Sequence, residues 1–286
     1  ELSRNSIGPS QMPSLSSRRK TQKLGSGSLS KHYSNYGIAL GNSDLSGYHV
    51  SMPTPLHPGQ TLLFDADDTL WENNIYFERA IAAFISYLDH QTHTPQQVRQ
   101  ALNQAERETI LSHGYGLTSF TQSLMTCFER LTEAQVGDDQ RAQIRSFAQS
   151  IAEHEIELLP GVAELLPELA SRHRLILMTK GSQAEQADKL ARSGLAPHFT
   201  AVEISSEKNP AAYLDVVRRH ECAPHTTWMI GNSPKSDINP ALAAGLHAVF
   251  IFHKDTWVLE HAAIDTPPPG QQLIEVNSFL ELARHF

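Results

Sequence analysis

Asp65, Asp67 and Asp68 stand in the run Leu62-Leu63-Phe64-Asp65-Ala66-Asp67-Asp68-Thr69-Leu70, where an apolar stretch ends in three carboxylates and a threonine. Three anions at the mouth of a core strand repel one another unless a cation lies among them. The run therefore points to a bound metal ion and a pocket for an anionic group. The competing reading is structural, because Asp favours Asx turns and helix starts, and the same residues would serve a strand–turn–helix junction. Five later positions carry complementary chemistry. Thr179 offers a hydroxyl, Lys180 and Lys208 offer ammonium groups, and Asn232 and Asp237 offer oxygens to a cation. Oxygen donors of this kind suit Mg²⁺, which keeps several waters and needs few protein ligands. Fifteen histidines and two cysteines form no HExxH and no CxxC, so zinc chemistry finds no support.

Each of these residues follows a stretch that reads as a strand. Apolar runs at Leu62–Phe64, Leu175–Met178, Ala201–Ile204, Thr227–Ile230 and Ala248–Phe252 alternate with helical patterns from residue 161 onward. Alternation of this kind predicts an α/β fold with a parallel sheet and helices on both faces. In open sheets of that class, ligands bind beyond the carboxyl ends of the strands. Asp65 and Asp67 follow the first strand, Thr179 and Lys180 the second, Lys208 the third, and Asn232 and Asp237 the fourth. Between the first two strands, residues 72–159 read as a helical insertion. Phe77, Ile81, Phe84 and Leu88 repeat at helical spacing, as do Phe120, Leu124, Cys127, Phe128 and Leu131, and later Ile144, Phe147 and Ile151. Thr94-Pro95-Gln96-Gln97 has the form of a capping box with Pro at the first helical position. His113 to Leu117 form an aromatic-bearing turn between the second and third of these helices.

Composition sets outer bounds. The 286 residues carry a net charge of −8, and residues 1–51 are basic, so the remainder is more acidic still. That argues against nucleic acid as the main partner. No apolar run approaches the roughly 20 residues of a membrane span. Cys127 and Cys222, in predicted helices far apart, fit a reduced, cytoplasmic setting without a disulfide. Residues 1–58 are rich in Ser, Gly and Asn and read as a disordered leader, with core segments at 59–71 and 160–286 and the insertion between them. The leader's basic, acid-poor composition matches a transit peptide; the favoured alternative is that the native protein starts at Met52.

Taken together, the four strand ends resemble the haloacid dehalogenase superfamily. Asp65-Ala66-Asp67-Asp68-Thr69 matches its DxDxT first motif, Thr179 its second, Lys208 its third, and Gly231-Asn232-Ser233 through Asp237 its acidic fourth. The resemblance implies a Rossmann-like doubly wound sheet with an inserted helical cap, and a Mg²⁺-dependent phosphatase acting on a small phosphorylated metabolite. It assigns Asp65 as nucleophile and Asp67 as general acid, with the Asp67 side chain free for that work and its backbone carbonyl on the metal. Asp65, Asp67, Asn232 and Asp237 would hold the metal; Thr179 and Lys208 would hold the phosphoryl group. Lys180 would add positive potential there or point to solvent. Asp68 reads as a helix cap more than a ligand. Asn232 departs from the family's usual Gly-Asp. Within the superfamily, Asp67 favours ester hydrolysis over carbon–halogen cleavage, and the lack of any lysine from residue 71 to 160 counts against phosphonate cleavage through a Schiff base. A sugar phosphomutase and a non-catalytic binding relative are the remaining alternatives. Tyr76, Phe77, Tyr115 and Phe120 would line an aromatic pocket or fill the bundle core.

Overall fold

The structure, a computed structural model, describes residues 59–88 and 92–286. The expected leader and the Met52 start lie outside the described residues. The fold grows from β1 (Thr61–Phe64), whose four residues are all buried. Six parallel strands form one sheet in the order β3-β2-β1-β4-β5-β6, with β2 at Arg174–Lys180, β3 at Ala201–Ser205, β4 at Thr227–Gly231, β5 at His247–Ile251 and β6 at Leu273–Val276. Side chains alternate across a strand, and the core divides accordingly. Leu62 and Phe64 pack with Leu175, Leu177, Trp228 and Ile230 on one face. Leu63 packs with Ile176, Met178, Met229 and Tyr213 on the other.

The helices take the two faces in turn. Helices α5 (Val162–Arg172) and α6 (Gln183–Ser193) contribute Leu165, Leu166, Leu169 and Leu190 to the first face. Helices α7 (Pro210–Arg219) and α8 (Asn239–Ala243) contribute Tyr213, Val216 and Ala241 to the second. Parallel strands require such crossovers, and both faces are thereby covered. The chain runs outward from β1 to β3, then returns to place β4 on the far side of β1. This reversal opens a crevice at the carboxyl ends of β1 and β4.

Between β1 and α5 the chain forms four helices, α1 (Asn74–Tyr87), α2 (Pro95–His113), α3 (Leu117–Thr132) and α4 (Asp138–Ala152). They share a hydrophobic cluster of their own, with Phe84, Leu102, Leu124 and Ile144 fully buried. The expected capping box is present: Gln97 N donates to Thr94 Oγ1, and Thr94 N to Gln97 Oε1. The insertion leaves and returns at one place. Trp71 pairs antiparallel with Leu158, Glu72 N donates to Glu157 O at 2.9 Å, and Leu159 N to Leu70 O at 3.0 Å.

Two expectations need correction. The strand series does not end at β5, because β6 adds a sixth strand at the sheet edge. Glu275 interrupts Leu-Ile-Glu-Val, so the stretch has no continuous apolar run, and only Val276 is fully buried there. Cys222 lies just past the end of α7 rather than within a helix; both cysteines are free and buried.

Candidate active site

The site is built on the ladder of β1. Asp65 N donates to Ile230 O at 2.9 Å, extending the strand pairing by one residue and fixing where the Asp65 side chain emerges. Its Oδ1 receives Lys208 Nζ at 2.5 Å, and its Oδ2 receives Thr69 Oγ1 at 3.1 Å. The same ammonium donates to Asp237 Oδ1 at 2.8 Å. Lys208 and Asp237 side chains are each 1% exposed. A wide π turn over Pro234–Ile238 presents Asp237, with Ile238 N reaching back to Ser233 O. Ser233 N then binds Asp237 Oδ2 at 2.9 Å. Gly231 is required for this approach, because a Cβ there would lie 2.3 Å from that oxygen.

One ammonium faces two buried carboxylates, so the cluster is short of positive charge. Burial, then the Asp237 charge, pushes the Asp65 carboxyl above its ordinary range, against the pull of Lys208. Burial opposes charge on Lys208, yet Asp237 and Asp65 hold its ammonium above its ordinary value. Asn232 adds a neutral oxygen: its Oδ1 accepts from Thr69 Oγ1 at 3.3 Å while its Nδ2 donates to Thr256 Oγ1 at 3.0 Å. An all-oxygen donor set with excess negative charge fits a hard divalent cation. Among the described residues, one group of three His, Cys, Asp or Glu side chains has ligand spacing, Asp68, Glu72 and His253, within 4.8 Å of one another. It does not coincide with the expected ligands.

Asp68 takes the structural role. It adopts a left-handed φ of 61°, and its Oδ1 accepts from Asn73 N at 2.8 Å and Asn74 N at 3.0 Å, capping α1 across the turn. Asp67 departs from expectation. Its carboxylate is engaged on both oxygens: Trp71 Nε1 and Lys189 Nζ reach Oδ1 at 2.8 Å each, and Gln186 Nε2 reaches Oδ2 at 2.8 Å. Burial works against the anion, but Lys189, Gln186 and Trp71 together hold the Asp67 carboxyl below its ordinary range. The side chain is therefore an anchored anion, not a free one.

Thr179 and Lys180 close the strand end of β2. Thr179 is 1% exposed and donates to Gln186 Oε1 at 3.4 Å. Lys180 does not point to solvent. Its Nζ donates to Glu260 Oε1 at 2.6 Å and Ser236 Oγ at 2.8 Å, and lies 4.2 Å from the Tyr115 ring centre. Burial opposes this ammonium too, and Glu260 restores it above the ordinary lysine value.

All seven expected site residues, Asp65, Asp67, Thr179, Lys180, Lys208, Asn232 and Asp237, line one cavity. Phe77, Tyr115 and Phe120 line it as well, whereas Tyr76 turns to a separate hollow and donates to Glu157. Gln186, Lys189, Glu260 and Glu106 also border the cavity and were not anticipated. Gln186 and Lys189 stand three apart on the helix after Thr179, a same-face spacing that offered a signal. Glu260 and Glu106 reach the cavity through tertiary packing alone.

The family model of haloacid dehalogenase-like hydrolases matches residues 60–245, well over half of the chain. The chain belongs to that family. Among solved structures, this haloacid dehalogenase-like hydrolase is similar to a like-named hydrolase from Xanthomonas campestris, with 28% identity and a TM-score of 0.64 over 78% of this chain and 92% of that one. The L-2-haloacid dehalogenase of Xanthobacter autotrophicus shares the fold at 15% identity and a TM-score of 0.54, over 79% of this chain and 97% of that one. Curated relatives of the hydrolase include a phosphoserine phosphatase from Thermus thermophilus, 34% identical over 82 residues, which are 27% of this chain and 33% of that protein. They also include the N-acylneuraminate-9-phosphatase of Rattus norvegicus, 22% identical over 78% of this chain and 92% of that protein.

Proposed function

We propose that the protein is a Mg²⁺-dependent phosphatase that hydrolyses small phosphate monoesters through an aspartyl-phosphate, with residues 72–159 acting as a helical cap over the core. The observation that carries this reading is Asp67, a second carboxylate two residues beyond Asp65, bordering the same cavity. A halide needs no proton on departure, whereas an alkoxide does. The phosphatase-named relatives support the same choice.

Asp65 attacks phosphorus as the ester oxygen departs with a proton from Asp67. Water then attacks the aspartyl-phosphate and returns a proton to Asp67, releasing inorganic phosphate and the Asp65 carboxylate. Lys208 holds Asp65 in line and counters phosphoryl charge, and the Thr179 hydroxyl binds a phosphoryl oxygen. Asp65, Asp237, the Asn232 amide oxygen and the Asp67 backbone carbonyl would hold Mg²⁺, which when bound would supply positive charge to offset the nucleophile and the phosphoryl group. Lys189 favours the anionic form of Asp67, so the acid step calls for that contact to loosen as ester binds. Lys180 adds positive potential behind the phosphoryl site while remaining bonded to Glu260.

Assay with both alkyl and aryl phosphates tests the reading. Asp65→Asn is expected to lose phosphate release by at least about 10³-fold, since the amide is a poor nucleophile. Asp67→Asn is expected to slow alkyl esters about 10²-fold or more while sparing esters of acidic phenols. Equal slowing of both ester types removes the proton-transfer role, and normal turnover in Asp65→Asn removes the mechanism.

A further inference from the structure

Glu106 borders the cavity from α2, away from the motif residues. It is 5% exposed, and its Oε2 is buried without a hydrogen-bond partner among the described residues. A buried acceptor left unpaired destabilises a fold, so its retention needs a reason. Neighbouring donors are committed elsewhere. Arg99 grips Glu78 with both terminal nitrogens at 2.7 Å and Asn103 with Nε. The Ser119 hydroxyl donates to Gly114 O. Each lysine of the cavity already faces a carboxylate: Lys180 faces Glu260, Lys189 faces Asp67, and Lys208 faces Asp65 and Asp237. Glu106 has no such bonded match, and Arg99 and Arg107 favour its anion only through space.

We propose that Glu106 is the specificity-determining residue of this cavity, accepting a hydrogen bond from a primary ammonium on the leaving group of the phosphate ester. The proposal rests on the phosphatase reading of the same site. Phe77 and Phe120, with ring centres 5.0 Å apart and edge to face, give the bundle wall an apolar surface beside Ile81 and Ile110. Carbon atoms linking phosphate and ammonium would lie against it. Of the carboxylates that line the cavity, Asp65 and Asp237 face Lys208 and the proposed metal, Asp67 faces Lys189, Glu260 faces Lys180 and Asp68 caps α1, so among the described residues Glu106 is the wall carboxylate with no cation bonded to it. A hydroxyl would satisfy the oxygen but leave the charge unmet. The substrate class is therefore an amine-bearing alcohol or phenol esterified to phosphate.

The full chain would be assayed on three aryl phosphates bearing a para aminomethyl, ethyl or acetyl group. The ratio of kcat/KM for the aminomethyl ester to that for the ethyl ester is compared between proteins, which cancels the intrinsic reactivity of each phenol. In Glu106→Gln this ratio is expected to fall at least about tenfold, the scale of one charge-assisted hydrogen bond, and mainly through KM. Glu106→Leu, which removes the unpaired acceptor and so does not depend on a replacement partner for folding, is expected to show the same fall. An unchanged ratio in both variants overturns the proposal. So does a selective loss on the acetyl ester, which would make Glu106 a protonated donor to a carbonyl. Failure of the wild-type chain to hydrolyse any of the three esters would instead refute the phosphatase reading, and the proposal with it.

Discussion

Lys208 stands between Asp65 and Asp237 with almost no access to water, so its charge is what allows two carboxylates to share the end of the sheet. Removing one member of a buried charge cluster leaves the others uncompensated and costs about 3–5 kcal/mol. Lys208→Met is expected to lose stability on that scale in urea unfolding at neutral pH. Adding Asp65→Asn should restore part of the loss, since it removes one stranded anion. Simple additivity of the two substitutions would show that the groups do not interact. Asn232 follows similar logic. Thr256 Oγ1 donates to His253 O and receives Asn232 Nδ2, so this position faces an acceptor that an amide satisfies and a carboxylate does not. Asn232→Asp adds charge beside the expected metal ligands, and the Mg²⁺ concentration giving half activity is expected to fall modestly. Repulsion from Asp65 and Asp237 limits the gain. A midpoint that stays put or rises would place Asn232 outside the metal's reach.

Helix α2 shows how an element carries a cost for its site. Burial pushes the Glu106 carboxyl up to about 7 from an ordinary 4.5. The folded protein therefore binds this proton more tightly than the unfolded chain does. The penalty is absent below the unfolded value, grows as pH rises from 4.5, and is complete above about 7. Glu106→Gln is expected to be more stable than wild type at pH 8, by at most about 3 kcal/mol, and nearly equal to it at pH 4. A stability gain that does not change with pH would assign the effect to packing. None of this was visible in the sequence, where Glu106 is one acid in a polar helix. The reason is general to these elements. The ends of β1, β2 and β4 were legible because each buried strand is a continuous apolar run followed at once by its polar residue. Asp68 was readable as a cap for the same local reason. Lys189, Gln186 and Glu260 meet Asp67 and Lys180 only once α6 and the segment after β5 have packed. Edge strand β6 escaped because Glu275 interrupts its apolar residues and the run is short.

At the scale of the molecule, the four-helix bundle is tied to the core at several places, of which two bear on how the bundle is held. One is the base, where Trp71 pairs with Leu158. The other is the tip of the α2–α3 turn. There Tyr115 Oη donates to Glu207 Oε2 at 2.8 Å, and Leu117 N reaches the Glu185 carboxylate at 3.1 Å. Glu185 thus caps α3 from the first turn of α6, and Gly116 between these contacts makes the close approach possible. Its φ of 121° is a backbone conformation that side-chain-bearing residues rarely adopt, and an added Cβ would lie 2.8 Å from Glu185 Oε2. Gly116→Ala must therefore strain the turn or push the tip off the sheet. Strain of this kind costs about 1–3 kcal/mol, enough to move the melting temperature by several degrees. If the tip closes the cavity over bound ester, displacement should raise KM about three- to tenfold beyond any loss of folded protein. Glu185→Ala relieves the clash but also removes the cap, so Gly116→Ala should cost less in that background than in wild type. Steady-state kinetics well below the melting temperature decide between the two roles. A lower melting temperature with unchanged KM makes the tip contact a brace for the fold, whereas a raised KM makes it part of how the bundle holds substrate over Asp65.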